Sequence, residues 1–201
     1  MNQREQGGFG DQATITLNAG AKANETVGIE GVYKVECRDK DGNLKWEDSF
    51  PNLVVAVGKQ LLLDTLLKGS SYSVTGPFLG LTSASLTPAA TDTMATIVPS
   101  SEFTNYTVGG SAVRGTAVFA SATSTGTTPT NVTTSTAAAI TYTITGGGGT
   151  VYGCFLVTGT GASSAQSNTG GTLYSVGNFA TAKITTAGDT VSVTYSATAT
   201  S

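Results

Sequence analysis

Histidine is absent from the 201 residues, so the side chain that most often moves protons near neutral pH is missing. No Ser-His-Asp or Cys-His constellation can be assembled from this chain. Carboxylates, two cysteines and some glycine-rich stretches remain. Most acids sit in the N-terminal third, where a solvated face is the ordinary reading. Asp92 and Glu102, in a long polar stretch, are the first carboxylates to consider for hydrolysis of a carbohydrate. Asp39-Lys-Asp-Gly-Asn43 has the acid spacing of the start of a calcium loop. However, the glycine follows directly on the second acid, and position twelve is Phe50 rather than glutamate. A hairpin turn explains those residues better. Gly146–Gly149 lacks the Gly-Lys-Ser/Thr of a phosphate loop, and Gly58-Lys59 is followed by Gln60 inside a leucine-rich stretch. The chemistry points to a chain that is not an enzyme and needs no cofactor.

Cys37 and Cys154 fall in separate strand patterns and read as two buried free thiols. Two isolated cysteines without histidine do not make a zinc set. Asn24, Asn105 and Asn131 begin Asn-x-Ser/Thr triplets, which chance supplies in so threonine-rich a chain.

The elements that would hold these residues are most legible between Gly31 and Ser70. Residues 32–38 and 44–50 alternate as two strands around Asp41-Gly42, a pair suited to a tight turn. Trp46, Asp48 and Phe50 share a face with Leu44. Trp46 and Tyr33 are expected in the core rather than on a binding platform. Pro51-Asn52 ends the second strand, with Asn52 as the expected helix cap. A helix near 55–68 carries Leu61, Leu62, Leu63, Leu66 and Leu67 as a wide apolar stripe that needs a sheet to lie on, with Gly69 as its stop.

A strand is expected near Phe78–Leu81, then a long loop with a turn of helix near Asp92–Ile97. The C-terminal half is β in pattern. Val113, Ala117 and Phe119 share a face. Ile140, Tyr142 and Ile144 alternate with threonines, residues 149–159 read as a central strand, and Val191, Val193 and Tyr195 alternate again. Turns are expected at Pro129, Gly146–Gly149, Gly170-Gly171 and Ala187-Gly188-Asp189, and residues 121–136 read as surface loop. The fold class is mainly β: an antiparallel β-sandwich or barrel with one amphipathic helix and an extended N-terminal arm. Residues 1–28 form the arm, with Phe9, Ile15 and Leu17 as its partner-binding anchors, and residues 29–201 the sandwich domain.

Net charge is −3, which gives no electrostatic case for nucleic acid. No apolar run reaches membrane-spanning length, and residues 1–12 lack the apolar core of a secretory signal, so synthesis in a host cytoplasm is expected. Residues 115–182 contain no Asp, Glu, Lys or Arg. A surface wetted by hydroxyls instead of charges suits a protein packed into an assembly.

The segment VECRDKDGNLKWEDSFPNLVVAVGKQLLLDTLLKGS, the following FLGLTS, and the later DTM, EFTNY, GTLYSVGNF and GDTVSVTY resemble a group of small virion proteins of tailed bacteriophages. The resemblance runs from about Gly31 to the C-terminus and leaves residues 1–30 outside it. It implies a virion structural protein, a capsid decoration (cement) type on the outer shell. Its partners would be the major capsid protein and further copies of itself, as a trimer or dimer, with no catalytic residues. A tail- or fibre-associated protein that contacts the host surface is the alternative.

Overall fold

The hairpin that opens the readable part of the sequence is the edge of a sheet. In the computed structural model, which describes residues 28–68, 75–125, 128–132 and 139–200, β1 (Gly28–Arg38) pairs antiparallel with β2 (Leu44–Pro51). Gly42 takes φ +88°, which glycine adopts without steric cost. The Asp39 carboxylate accepts the backbone N–H groups of Asp41 and Asn43, both at 2.9 Å, so it is spent on closing the turn. After β2 come β3 (Leu53–Val54), α1 (Ala56–Leu67), β4 (Phe78–Thr82), α2 (Met94–Ser101), β5 (Glu102–Phe103) and β6 (Tyr106–Thr107). The chain continues through β7 (Gly115–Thr116), β8 (Thr123–Thr125), β9 (Thr128–Val132), β10 (Ile140–Ile144), β11 (Gly149–Thr158), β12 (Thr172–Thr185) and β13 (Thr190–Thr200).

Two antiparallel sheets result. The first runs β2-β1-β13-β10-β6, with the β8–β9 hairpin added through β9 to β13. The second runs β3-β12-β11-β4-β5, with β7 on β4. This is a sandwich rather than a closed barrel. The period-2 alternation of β1, β10 and β13 turns Tyr33, Val35, Cys37, Ile140, Tyr142, Ile144, Val191, Val193 and Tyr195 inward, all buried. They meet Leu79, Leu81, Cys154 and Leu156 of the second sheet. Two tyrosine hydroxyls tie the sheets together: Tyr142 donates to Leu79 O at 2.7 Å, and Tyr33 lies 2.9 Å from Ser175 Oγ. A buried hydroxyl without such a partner would be costly.

The second sheet is apolar on both faces. On its outer side Phe155, Val157, Leu173 and Val176 are covered by Met94, Ile97 and Val98 of α2 and by Val55. That double burial is why residues 149–158 read as a near-continuous apolar run. Where β2 and β12 come side by side, Lys183 pairs with Asp48 at 2.8 Å and the Trp46 indole donates to Ile184 O at 3.2 Å.

Several expectations are corrected. Asn52 does not cap α1; the residue before the helix is Val55, with no side-chain cap, and Asn52 Nδ2 instead donates to the Tyr195 hydroxyl at 2.9 Å. Asn52 lies three residues before Val55, outside the first turn of the helix, so its side chain is not in the capping position. Residues 112–123 do not form one strand: Gly115–Thr116 pairs with β4, Val113 makes an isolated bridge to Ala165, and Thr123 already belongs to β8. The Arg114 side chain, between Val113 and Gly115, lies in the interior. The supposed surface loop at 121–136 contains β8 and β9, and Pro129 lies within β9 rather than at a turn. The longest strand, β12, was not anticipated as a strand at all. Cys37 and Cys154 are both buried free thiols, as expected.

Candidate functional site

Helix α1 is seated by its first turns only. Gly58 lies so close to β12 that a Cβ there would be 2.5 Å from the Tyr174 carbonyl oxygen, and it is the one helix residue that is fully buried. Val55 is buried beside it, and Ala56 N–H donates to Ala90 O at 2.8 Å. Beyond that contact Leu61 and Leu62 are half-buried and the other three leucines are left uncovered. Leu63, Leu66 and Leu67 are 55 %, 71 % and 78 % exposed. Spaced i, i+3 and i+4, they form one ridge. The expected apolar stripe is present, but it is covered only in part: Leu61 and Leu62 are half-buried and Leu63, Leu66 and Leu67 are not. Val32, Leu44, Val118 and Ile184 are also exposed, but elsewhere in the fold; the three leucines are grouped on one helix, and such groupings mark contact sites.

The arm anchors Phe9, Ile15 and Leu17 lie outside the described residues, so the structure does not bring them to this ridge or to any other place.

The carboxylates considered for hydrolysis are put to other uses. Glu102 is buried and bound in a two-pronged ion pair by Arg114, with Arg114 Nε to Oε1 at 2.7 Å and Nη2 to Oε2 at 2.8 Å. The two side chains are 0 % (Arg114) and 1 % (Glu102) exposed. The guanidinium also donates to Ser163 O and Asn168 O, and Ser167 N–H donates to Glu102. The Phe155 ring lies 5.2 Å from the guanidinium carbon. Every prong is occupied, which is what a buried charge pair requires. The pair therefore clamps the loop around residues 163–168 onto the sandwich. Asp92 is separate: it accepts Ala89 N–H at 2.8 Å in the turn before α2.

Two hollows mark the surface formed by the described residues. A broad groove of about 660 Å³ crosses the outer face of the first sheet, lined by Lys34, Glu36, Glu47, Ser49, Thr141 and Thr194 among others. Glu36 and Glu47 are cross-strand partners there, and Arg38 bonds Glu36. The lining offers donors and acceptors with no exposed aromatic ring. A smaller apolar hollow of about 190 Å³ lies at one end of the sandwich, between Leu156 and Tyr174 of the second sheet and Tyr195 and Ala197 of the first, closed by Pro77 and Phe119.

Trp46 is half-buried with its ring edge-on to Phe179, and Tyr33 is fully buried, so neither forms a platform. Burial pushes the Cys37 thiol up to about 11, with Asp189 adding to the rise, and raises that of Cys154 well above the ordinary value. Neither thiol is activated as a nucleophile. Among the described residues no three His, Cys, Asp or Glu side chains gather as metal ligands, and no helix is long and apolar enough to cross a membrane.

The class this architecture defines is a two-sheet antiparallel β-sandwich with helices on one outer face and a leucine ridge exposed on one of them. No family model, curated protein or solved structure matches this chain.

Proposed function

We propose that this chain is a non-enzymatic structural protein of a bacteriophage virion, a decoration (cement) protein that binds the outer shell of the head and works as a homo-oligomer. The observation that carries the reading is the ridge of Leu63, Leu66 and Leu67, exposed on a helix whose other side is anchored by Gly58. A ridge of this kind gives a small domain an apolar patch to bury at a joint between subunits, and removal of apolar surface from water drives association. The charge-free run of residues 115–182 fits a surface that faces neighbours repeated in a lattice. The resemblance of residues 31–201 to phage virion proteins supplies the setting. Many copies on one shell would make modest single-site affinities sufficient. The test is to incubate purified protein with phage heads that lack it, pellet the heads and image them. Stoichiometric binding at regular lattice points is expected; protein left in the supernatant would refute the assignment.

The groove over Lys34, Glu36, Glu47, Ser49, Thr141 and Thr194 favours a second reading, a tail or fibre component touching host glycans. Its hydroxyls and charged groups are suited to bonding sugar hydroxyls. It predicts binding to host cells and competition with infection, and absence of cell binding at high protein concentration would dispose of it.

A further inference from the structure

We propose that the apolar hollow at the end of the sandwich is a binding site for the chain's own N-terminal segment, occupied by Ile15 and Leu17 from residues 13–19. The hollow is lined by Pro77, Phe119, Leu156, Tyr174, Tyr195 and Ala197, with Thr158 at the end of β11 as a hydroxyl on its rim. Its volume, about 190 Å³, compares with the ~150 Å³ of apolar cavities that accept a benzene-sized group. One branched aliphatic side chain with part of a second fits that space.

The position of the chain selects the occupant. Ala197 on the hollow's wall pairs with Gly31, and three register steps further out Thr200 pairs with Gly28, where β1 begins. The 27 residues before Gly28 therefore enter the sandwich about 10 Å from the hollow, at ~3.3 Å per strand residue. Within them, Ala13-Thr-Ile-Thr-Leu-Asn-Ala19 is the one stretch that alternates, with Ala13, Ile15, Leu17 and Ala19 on a common face. Residues 18–27 lie between Leu17 and β1, with glycine at position 20 to allow a reversal. A chain of ten residues can reach at most ~33 Å, well beyond the distance to the hollow. A linker matched to its span gives an effective concentration in the millimolar range, well above that of another copy in dilute solution. The site stands on the sandwich alone and does not depend on the chain belonging to a virion.

Disulfide trapping tests it. In the full chain, Leu17→Cys with Ala197→Cys is exposed to oxidised glutathione and analysed by non-reducing gel and peptide mass mapping. Gln3→Cys with Ala197→Cys serves as the control; the buried Cys37 and Cys154 are left in place. A 17–197 cross-link at monomer mass, formed at least tenfold faster than the 3–197 one, is expected. A covalent dimer would assign the hollow to a second copy and overturn the proposal, as would no 17–197 link. Independently, Ile15→Asp with Leu17→Asp is expected to lower the Tm by about 4 °C or more, the scale of losing a buried apolar group in a chain of this size. An unchanged Tm contradicts the proposal.

Discussion

Gly58 of α1 lies against Tyr174 of β12 with no room for a side chain: a Cβ on Gly58 would sit 2.5 Å from the Tyr174 carbonyl oxygen and 2.9 Å from its Cα. Both are backbone atoms: Tyr174 sits at the β11–β12 register shift, its neighbour Ser175 pairs with both β11 and β3, and its carbonyl accepts Val55 N–H at 3.2 Å, so a shift there would disturb that pairing. In an open helix, replacing glycine by alanine stabilises by about 1 kcal/mol. Here overpacking, typically about 1–3 kcal/mol, opposes that gain and exceeds it. Gly58→Ala is therefore expected to lower stability in urea unfolding, while Gln60→Ala, on the exposed side, leaves it within about 0.5 kcal/mol. A more stable Gly58→Ala protein would show that α1 is not seated as described.

The Glu102–Arg114 pair gives the largest expected loss. Glu102→Gln leaves a buried guanidinium without its counter-charge, and breaking such a pair costs about 3–5 kcal/mol. Removing both with Glu102→Gln and Arg114→Met also orphans Ser163 O and Asn168 O, yet the double variant should lose less than the sum of the single losses. Thermal unfolding of the four proteins measures that coupling, and strict additivity would mean the pair does not act as a unit.

Acid should weaken the fold through three aspartates: Asp39, whose carboxyl is held down by hydrogen bonds from Asn43 and Asp41, and the ion-paired Asp48 and Asp189. Hydrogen bonding and attraction from Lys183 hold the Asp48 carboxyl below its ordinary value. Burial works to raise that of Asp189, but Lys45 at 2.5 Å and the Thr186 N–H and hydroxyl outweigh it and the result is a lowered value. A carboxyl lowered on folding contributes stability that is present above its unfolded value, about 3.9, and lost as pH falls through the folded one. Urea midpoints measured from pH 6 to pH 2.5 should fall below about pH 4. The fall should be shallower in Asp189→Asn, which starts from lower stability at pH 6. Identical profiles for the two proteins would remove Asp189 from the account.

Strand patterning was legible where one face meets the core and the other meets water. Ile140, Tyr142 and Ile144 alternate buried and exposed with the intervening threonines. β12 escaped notice because it pairs with β11 through two register shifts and carries Gly177-Asn178 in its middle, which break the alternation. The helix at 56–67 was legible from its leucines, but periodicity records which side chains are apolar, not what lies opposite them. Its exposed ridge therefore needed the structure. The sparse charges after residue 69 were a signal left unused: Glu102 and Arg114 pair with each other, and Lys183 and Asp189 reach back to Asp48 and Lys45 of the hairpin. The fifth charge of that stretch, Asp92, instead accepts a backbone N–H in the turn before α2.

The ridge carries the functional reading, so it is the place to test it. Leu63→Gln, Leu66→Gln and Leu67→Gln together replace exposed side chains and should leave unfolding within about 1 kcal/mol of the parent. The decisive measurement is the fraction of this triple variant that sediments with phage heads lacking the protein, beside the parent at equal concentration. The account predicts saturable binding by the parent and at least a tenfold weaker binding by the folded variant. Equal binding by both would contradict it, and would move the contact with the shell away from α1.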